Sequence, residues 1–175
     1  MTEENTETVR AKKRTVRAAL GFAAATAGVA ALGALVMRGR GSPNSLWFRA
    51  LKKPSFQPPN KAFGPIWTLL YAGIAYSGYR IWRAPKSPER SVALSLWGAQ
   101  LILNGMWTPL FFGMHKPRAA LVDAIALDAA ALGYAATAAK VDPKAAGLVV
   151  PYLGWLGLAT AINSSIVMHN PRFMT

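Results

Sequence analysis

The chain has 175 residues, of which 53% are apolar and only 15% charged, where a soluble domain carries roughly a quarter charged. Its charges are one-sided, 20 Lys+Arg against 7 Asp+Glu for a net charge of +13; nucleic-acid binders this basic carry more charge overall, so the pattern points to lipid with cations at its surface. The absence of cysteine excludes disulfides, thiolate metal sites and cysteine nucleophiles, and two histidines, His115 and His169, make a histidine-rich metal site improbable.

In chain order, residues 1–17 place Arg10, Lys12, Lys13, Arg14 and Arg17 after an acidic start, and read as a disordered or interfacial basic tail. The charge-free run 18–37 is longer than the 7–15 residues of a signal-peptide core, so it is a signal anchor or a first span. Residues 38–61 form the one long connection, extended or turn-like because of Pro43, Pro54, Pro58 and Pro59. Four further spans are expected at about 62–82, 91–114, 119–139 and 145–168, each near the roughly 20 residues that cross a bilayer core. Ser87-Pro88-Glu89 and Asp142-Pro143 supply helix-start chemistry, and residues 115–118 a tight polar link. The expected fold is therefore an all-α membrane domain over residues 18–170, a five-helix bundle. Alternate connections gather eleven cations on the N-terminal side and nine on the other, which weakly favours a cytoplasmic N-terminus.

Inside the spans, Trp67, Tyr71 and Ile74 share one helical face, and Trp155, Ala159 and Ile162 repeat that spacing. Gln100, Asn104, Trp107 and Phe111 form a third such stripe. Amides within lipid serve either interhelical hydrogen bonding or a ligand pocket, and spacing alone leaves both open. Trp47, Trp82 and Trp97 read as an interfacial aromatic belt. Asp128 is tenth of 21 residues in its span, and Asp123 lies nearer one end, about 140° away around the helix. Asp128 either handles protons or cations or is a buried acid bonded to a neighbouring helix; for Asp123 the latter is expected. Small-residue pairs such as Ala24/Gly28, Gly73/Ser77 and Ala129/Gly133 permit close helix contact.

Together these residues carry a family resemblance. Trp47-Phe48-x4-Lys53-Pro54-Ser55-Phe56-Gln57-Pro58-Pro59, then Phe63-Gly64-Pro65-Ile66-Trp67-Thr68-x2-Tyr71, resembles the signature of the translocator protein family, also called tryptophan-rich sensory proteins (TspO/MBR). Gln100-x3-Asn104-x2-Trp107-x3-Phe111-Phe112 and Pro151-Tyr152-Leu153-x-Trp155, with Ala159-Thr160-x2-Asn163, extend it from about Leu46 to Asn163.

The resemblance implies a five-helix homodimer that binds porphyrins (protoporphyrin IX, haem) as ligands, with no required cofactor, and residues 38–61 folded over the pocket as a lid. It carries ligand-binding roles to Phe48, Pro58, Trp67, Tyr71, Asn104, Trp107, Trp155 and Ala159. The implied function is a tetrapyrrole receptor in homeostasis or stress response. Alternatives are transport of hydrophobic ligands and a light-dependent porphyrin-degrading enzyme in which Trp67 and Trp155 are the catalytic indoles. Its membrane would be a bacterial envelope or, in a eukaryote, the mitochondrial outer or endoplasmic reticulum membrane. Residues 161–169 lack the Tyr and Arg of the animal sterol segment, so sterol transport does not carry over, and Asp128 is no family hallmark.

Overall fold

The computed structural model describes residues 3–38 and 45–173, with side chains from Glu7 to Arg172. Residues 39–44, including Pro43 of the expected lid, lie outside the described residues. The described chain is helical: α1 Glu3–Arg38, α2 Leu46–Ala50, α3 Asn60–Arg83, α4 Pro88–Thr108, α5 Pro117–Val141, α6 Pro143–Gly147 and α7 Val150–His169. The long helices close a ring, α1 against α3 and α4, α4 against α5, α5 against α7, and α7 back against α3.

The predicted starts form as the side-chain chemistry requires. The Ser87 hydroxyl accepts from the Arg90 N–H at 3.1 Å, with Pro88 in the first turn. Asp142 accepts from the backbone N–H groups of Lys144 and Ala145 at 3.0 and 3.2 Å.

Three boundaries differ from expectation, two of them at prolines. Residues 3–17, expected as a tail, continue α1 as helix, and its 36 residues span roughly 54 Å against a hydrocarbon core of about 30 Å. The Arg14 guanidinium of this extension sits 5.4 Å over the Trp82 ring. Secondly, the span 91–114 is not one α-helix. Pro109 lacks an N–H, and residues 109–113 widen into a π turn, with the Met114 N–H donating to the Pro109 carbonyl at 2.8 Å. His115 then takes φ 54°, a left-handed conformation that turns the chain into α5. Thirdly, the span 145–168 is interrupted at residues 148–149 and restarts with Pro151 in the first turn of α7.

The burial pattern is inverted relative to a water-soluble bundle. Leu69, Ile102, Val122 and Met168 are 68–74% exposed on the outside, while Ser77, Gln100, Asn104 and Asn163 are at most 6% exposed. Large apolar side chains outside and satisfied polar ones inside is the arrangement lipid favours. The stretches Glu7–Arg38, Pro117–Val141 and Pro143–His169 are long and apolar enough to cross a membrane. The other two expected spans, over α3 and α4, are diluted by Tyr, Ser and amide side chains and are not among these three.

Trp97 is a correction. It is not an interfacial residue but a buried one, because it shares the inner face of α4 with Ala93, Gln100, Leu101 and Asn104. Its indole N–H donates to the Ile74 carbonyl at 2.9 Å, and Phe22 meets its ring edge-on at 4.7 Å. Gly78 makes room: a Cβ there would lie 2.5 Å from the Trp97 indole nitrogen. Beside it, Ser77 hydrogen-bonds the Tyr134 hydroxyl at 2.6 Å and donates to the Ala145 carbonyl at 2.7 Å. The small-residue pairs divide: Ser77 faces this contact, whereas Ala24 and Gly28 face outward.

Candidate functional site

The helix ring encloses a cavity of about 720 Å³, within the roughly 300–1,000 Å³ of small-molecule sites. Every long helix contributes. α3 presents Trp67 and Tyr71, α4 Asn104 and Trp107, and α7 Trp155 and Ala159. Phe48 enters from α2, so the segment after the first helix supplies part of the wall. Of the eight ligand positions expected from sequence, Pro58 alone is not on the wall; its neighbour Gln57 is.

The aromatic rings form two groups. Trp67 and Trp155 meet edge to face at 6.4 Å, with Tyr71 beside Trp67 at 5.1 Å and Phe63 against Trp155 at 5.3 Å. Trp107 stacks on Phe111 at 4.9 Å, and Phe48 and Phe112 close that end at 5.2 Å. Flat faces and edges in this arrangement suit a planar apolar ligand.

The amides are held in a one-way hydrogen-bond chain. The Tyr71 hydroxyl donates to Asn104 Oδ1 at 2.7 Å, and Asn104 Nδ2 donates to the Tyr152 hydroxyl at 3.0 Å. That hydroxyl donates to Gln100 Oε1 at 2.9 Å, and Gln100 Nε2 ends the chain on the Trp97 carbonyl at 3.0 Å. Gln100 thus serves packing, behind the wall, while Tyr71 and Asn104 are part of the wall. A parallel link runs from Trp107 Nε1 to Asn163 Oδ1 at 3.1 Å, and from Asn163 Nδ2 to the Pro117 carbonyl at 3.0 Å. Both links fix indole and phenol orientations before any ligand arrives. The Trp155 indole N–H is buried and has no hydrogen-bond partner.

The two acidic residues behave differently. Asp128 lies on the cavity face of α5 with Ala124 and Leu127, and its Oδ2 accepts from the Thr160 hydroxyl of α7 at 2.8 Å. Its Oδ1 has no partner. Asp123 is not on the wall, and the bond to a neighbouring helix expected for it is not seen at its Oδ2.

The segment from α2 towards α3 is tied down at two points, Trp47 and Lys52. Trp47 stacks on His115 at 4.3 Å, and Asn170 bonds the backbone of Lys52. The Lys53 ammonium donates to the Leu51 carbonyl at 3.1 Å and lies 4.6 Å over the Phe48 ring; partial burial there lowers its pKa from the usual lysine value.

Sequence reasoning missed the α1 wall, which includes Ala23, Ala27, Ala30, Gly33 and Ala34, and it gave Thr160 and Asn163 only as motif positions, without a role. The α1 residues carry no chemical signal, since small side chains mark a wall only by what they leave empty.

An all-helical membrane protein with an aromatic ligand-sized cavity is the class that this fold and site define. Residues 22–169 match the TspO/MBR family, and the chain belongs to it. It is similar to the translocator protein of Sus scrofa, 40% identical over 126 residues that cover 71% of this chain and 75% of that one. It is similar also to the tryptophan-rich protein TspO of Archaeoglobus fulgidus, 41% identical over 71% of this chain and 80% of that one. Protein CrtK of Rhodobacter capsulatus is 32% identical over 71% and 79%.

Proposed function

We propose that this chain is a five-span membrane receptor that binds porphyrin- or haem-type tetrapyrroles in the aromatic cavity, acting in tetrapyrrole homeostasis or stress response. The observation that carries the reading is convergence: Phe48, Trp67, Tyr71, Asn104, Trp107, Trp155 and Ala159, distant in sequence, line one cavity of about 720 Å³. All five long helices cross the bilayer in this reading; outward-facing Leu69 on α3 and Ile102 on α4 support it for the two less apolar ones. The segment through α2 to Lys61 acts as the lid, consistent with Phe48 in the wall and the tethers at His115 and Asn170. Surplus cations anchor the bundle at anionic headgroups.

Tryptophan fluorescence tests the reading. Protoporphyrin IX quenches the purified protein saturably, and the Trp67→Phe/Trp155→Phe variant binds more weakly. Undiminished quenching in that double variant removes the pocket assignment.

Light-dependent breakdown of the bound porphyrin is a second reading. It is favoured by Trp67 and Trp155 lying 6.4 Å apart on the same wall, where either indole can meet a photoexcited ring. Bleaching under illumination that is faster with protein than in empty detergent supports it, and equal bleaching removes it.

A further inference from the structure

Apart from one residue, the wall of the cavity is built of apolar, aromatic, hydroxyl and amide side chains. Asp128 is the only Asp, Glu, Lys, Arg or His among the described residues lining it. A carboxylate offers about four acceptor sites, and burying it without donors is costly. The structure supplies one donor, the Thr160 hydroxyl on Oδ2, and leaves Oδ1 without a partner. Carboxylate χ2 is soft and two-fold, so rotation about it offers either oxygen to the cavity. Around the same space stand the faces and edges of Trp67, Trp107 and Trp155, which attract cations as well as aromatic rings.

We propose that Asp128 sets the ligand class of this cavity: a flat apolar body bearing a cationic amine or another N–H donor, rather than one bearing a carboxylate at that depth. This rests on the reading of the cavity as the ligand site. For a tetrapyrrole the same rule sets orientation. The pyrrole N–H groups face Asp128, and the acidic side chains lie at the lid, where Lys53 stands over Phe48.

The test uses the full chain in neutral maltoside detergent at neutral pH, with three pyrene probes of matched size: pyrenylmethylamine, pyrenylmethanol and pyrenecarboxylic acid. Energy transfer from tryptophan reports binding. The net charge of +13 favours the acid at every other surface, so a preference for the amine is a stringent signal. The expected result is an amine affinity at least about tenfold above that of the acid. Asp128→Asn abolishes this preference, read as the ratio of amine to acid affinity. Asp128→Glu keeps the charge and keeps the preference, as does Asp123→Asn, which is off the wall. Equal amine and acid affinities in the unmodified chain, or a preference that survives Asp128→Asn, overturns the proposal while alcohol binding leaves the pocket assignment standing. Failure of all three probes to bind the unmodified chain overturns both.

Discussion

Asn170, just past the end of α7, bonds the backbone of Lys52 from both sides: its Oδ1 accepts from the Lys52 N–H at 2.8 Å, and its Nδ2 donates to the Lys52 carbonyl at 2.9 Å. A third bond, from Nδ2 to the Ile166 carbonyl at 2.8 Å, fixes the amide on its own helix. One side chain thereby joins segments 118 residues apart and holds the stretch that brings Phe48 to the cavity.

Asn170→Ala therefore releases the lid more than the bundle. Of the three bonds lost, the two to Lys52 hold the lid, and at about 0.5–1.5 kcal/mol each they predict about 1–3 kcal/mol of local destabilisation there. Amide hydrogen exchange over residues 46–57 is expected to accelerate, with α5 unchanged, and ligand dissociation to become faster. Unaltered exchange in that stretch would show that the tether is idle.

The close approach of α3 and α4 at Gly78 and Trp97 predicts a large effect from one methyl group. In Gly78→Ala the added Cβ meets the indole nitrogen at 2.5 Å, so Trp97 must move off the Ile74 carbonyl. Overpacking of this kind costs about 1–3 kcal/mol, readable as a lower melting temperature in detergent. Gly98→Ala, in the interior of α4 with nothing within 4 Å, is the matched control and is expected to be neutral or mildly stabilising.

Asp142 has two separable duties. It caps α6 and pairs with the Arg80 guanidinium at 2.8 Å. An Asn in its place keeps the cap and loses the charge, whereas Ala loses both. A cap is worth about 0.5–2 kcal/mol, whereas an ion pair with a solvent-screened arginine contributes less. Thermal denaturation should therefore rank Asp142→Ala clearly below Asp142→Asn, and equal loss in the two variants would assign the stability to the ion pair.

Much of this architecture could be read before any coordinates. Long apolar runs, Ser87-Pro88 and Asp142-Pro143 marked the helices because hydrophobicity and capping are local properties. Helical spacing put Trp67 with Tyr71 at i, i+4 and Asn104 with Trp107 at i, i+3 on shared faces of their helices, and the cavity joins all four. Other features depend on partners distant in sequence. Trp97 is buried only because Gly78 opens a space for it, and the wall of α1 exists only through the small residues opposite the aromatic ones. The π turn at Pro109 and the interruption before Pro151 were visible as prolines, but hydropathy runs straight through them.

The central claim is that the space bounded by α1 and the aromatic walls is the porphyrin site. It is tested most directly by filling that space without removing a tryptophan. Ala30, on the α1 wall, is changed to Trp, and exposed Ala129 on α5 is changed to Trp as the control. Protoporphyrin IX binding is followed by the shift of the porphyrin's own absorption band, independently of protein fluorescence. The account predicts a single saturable class of site in the unmodified chain, weakened at least about tenfold by Ala30→Trp and untouched by Ala129→Trp. Equal binding in all three proteins, or uptake that never saturates, would contradict it.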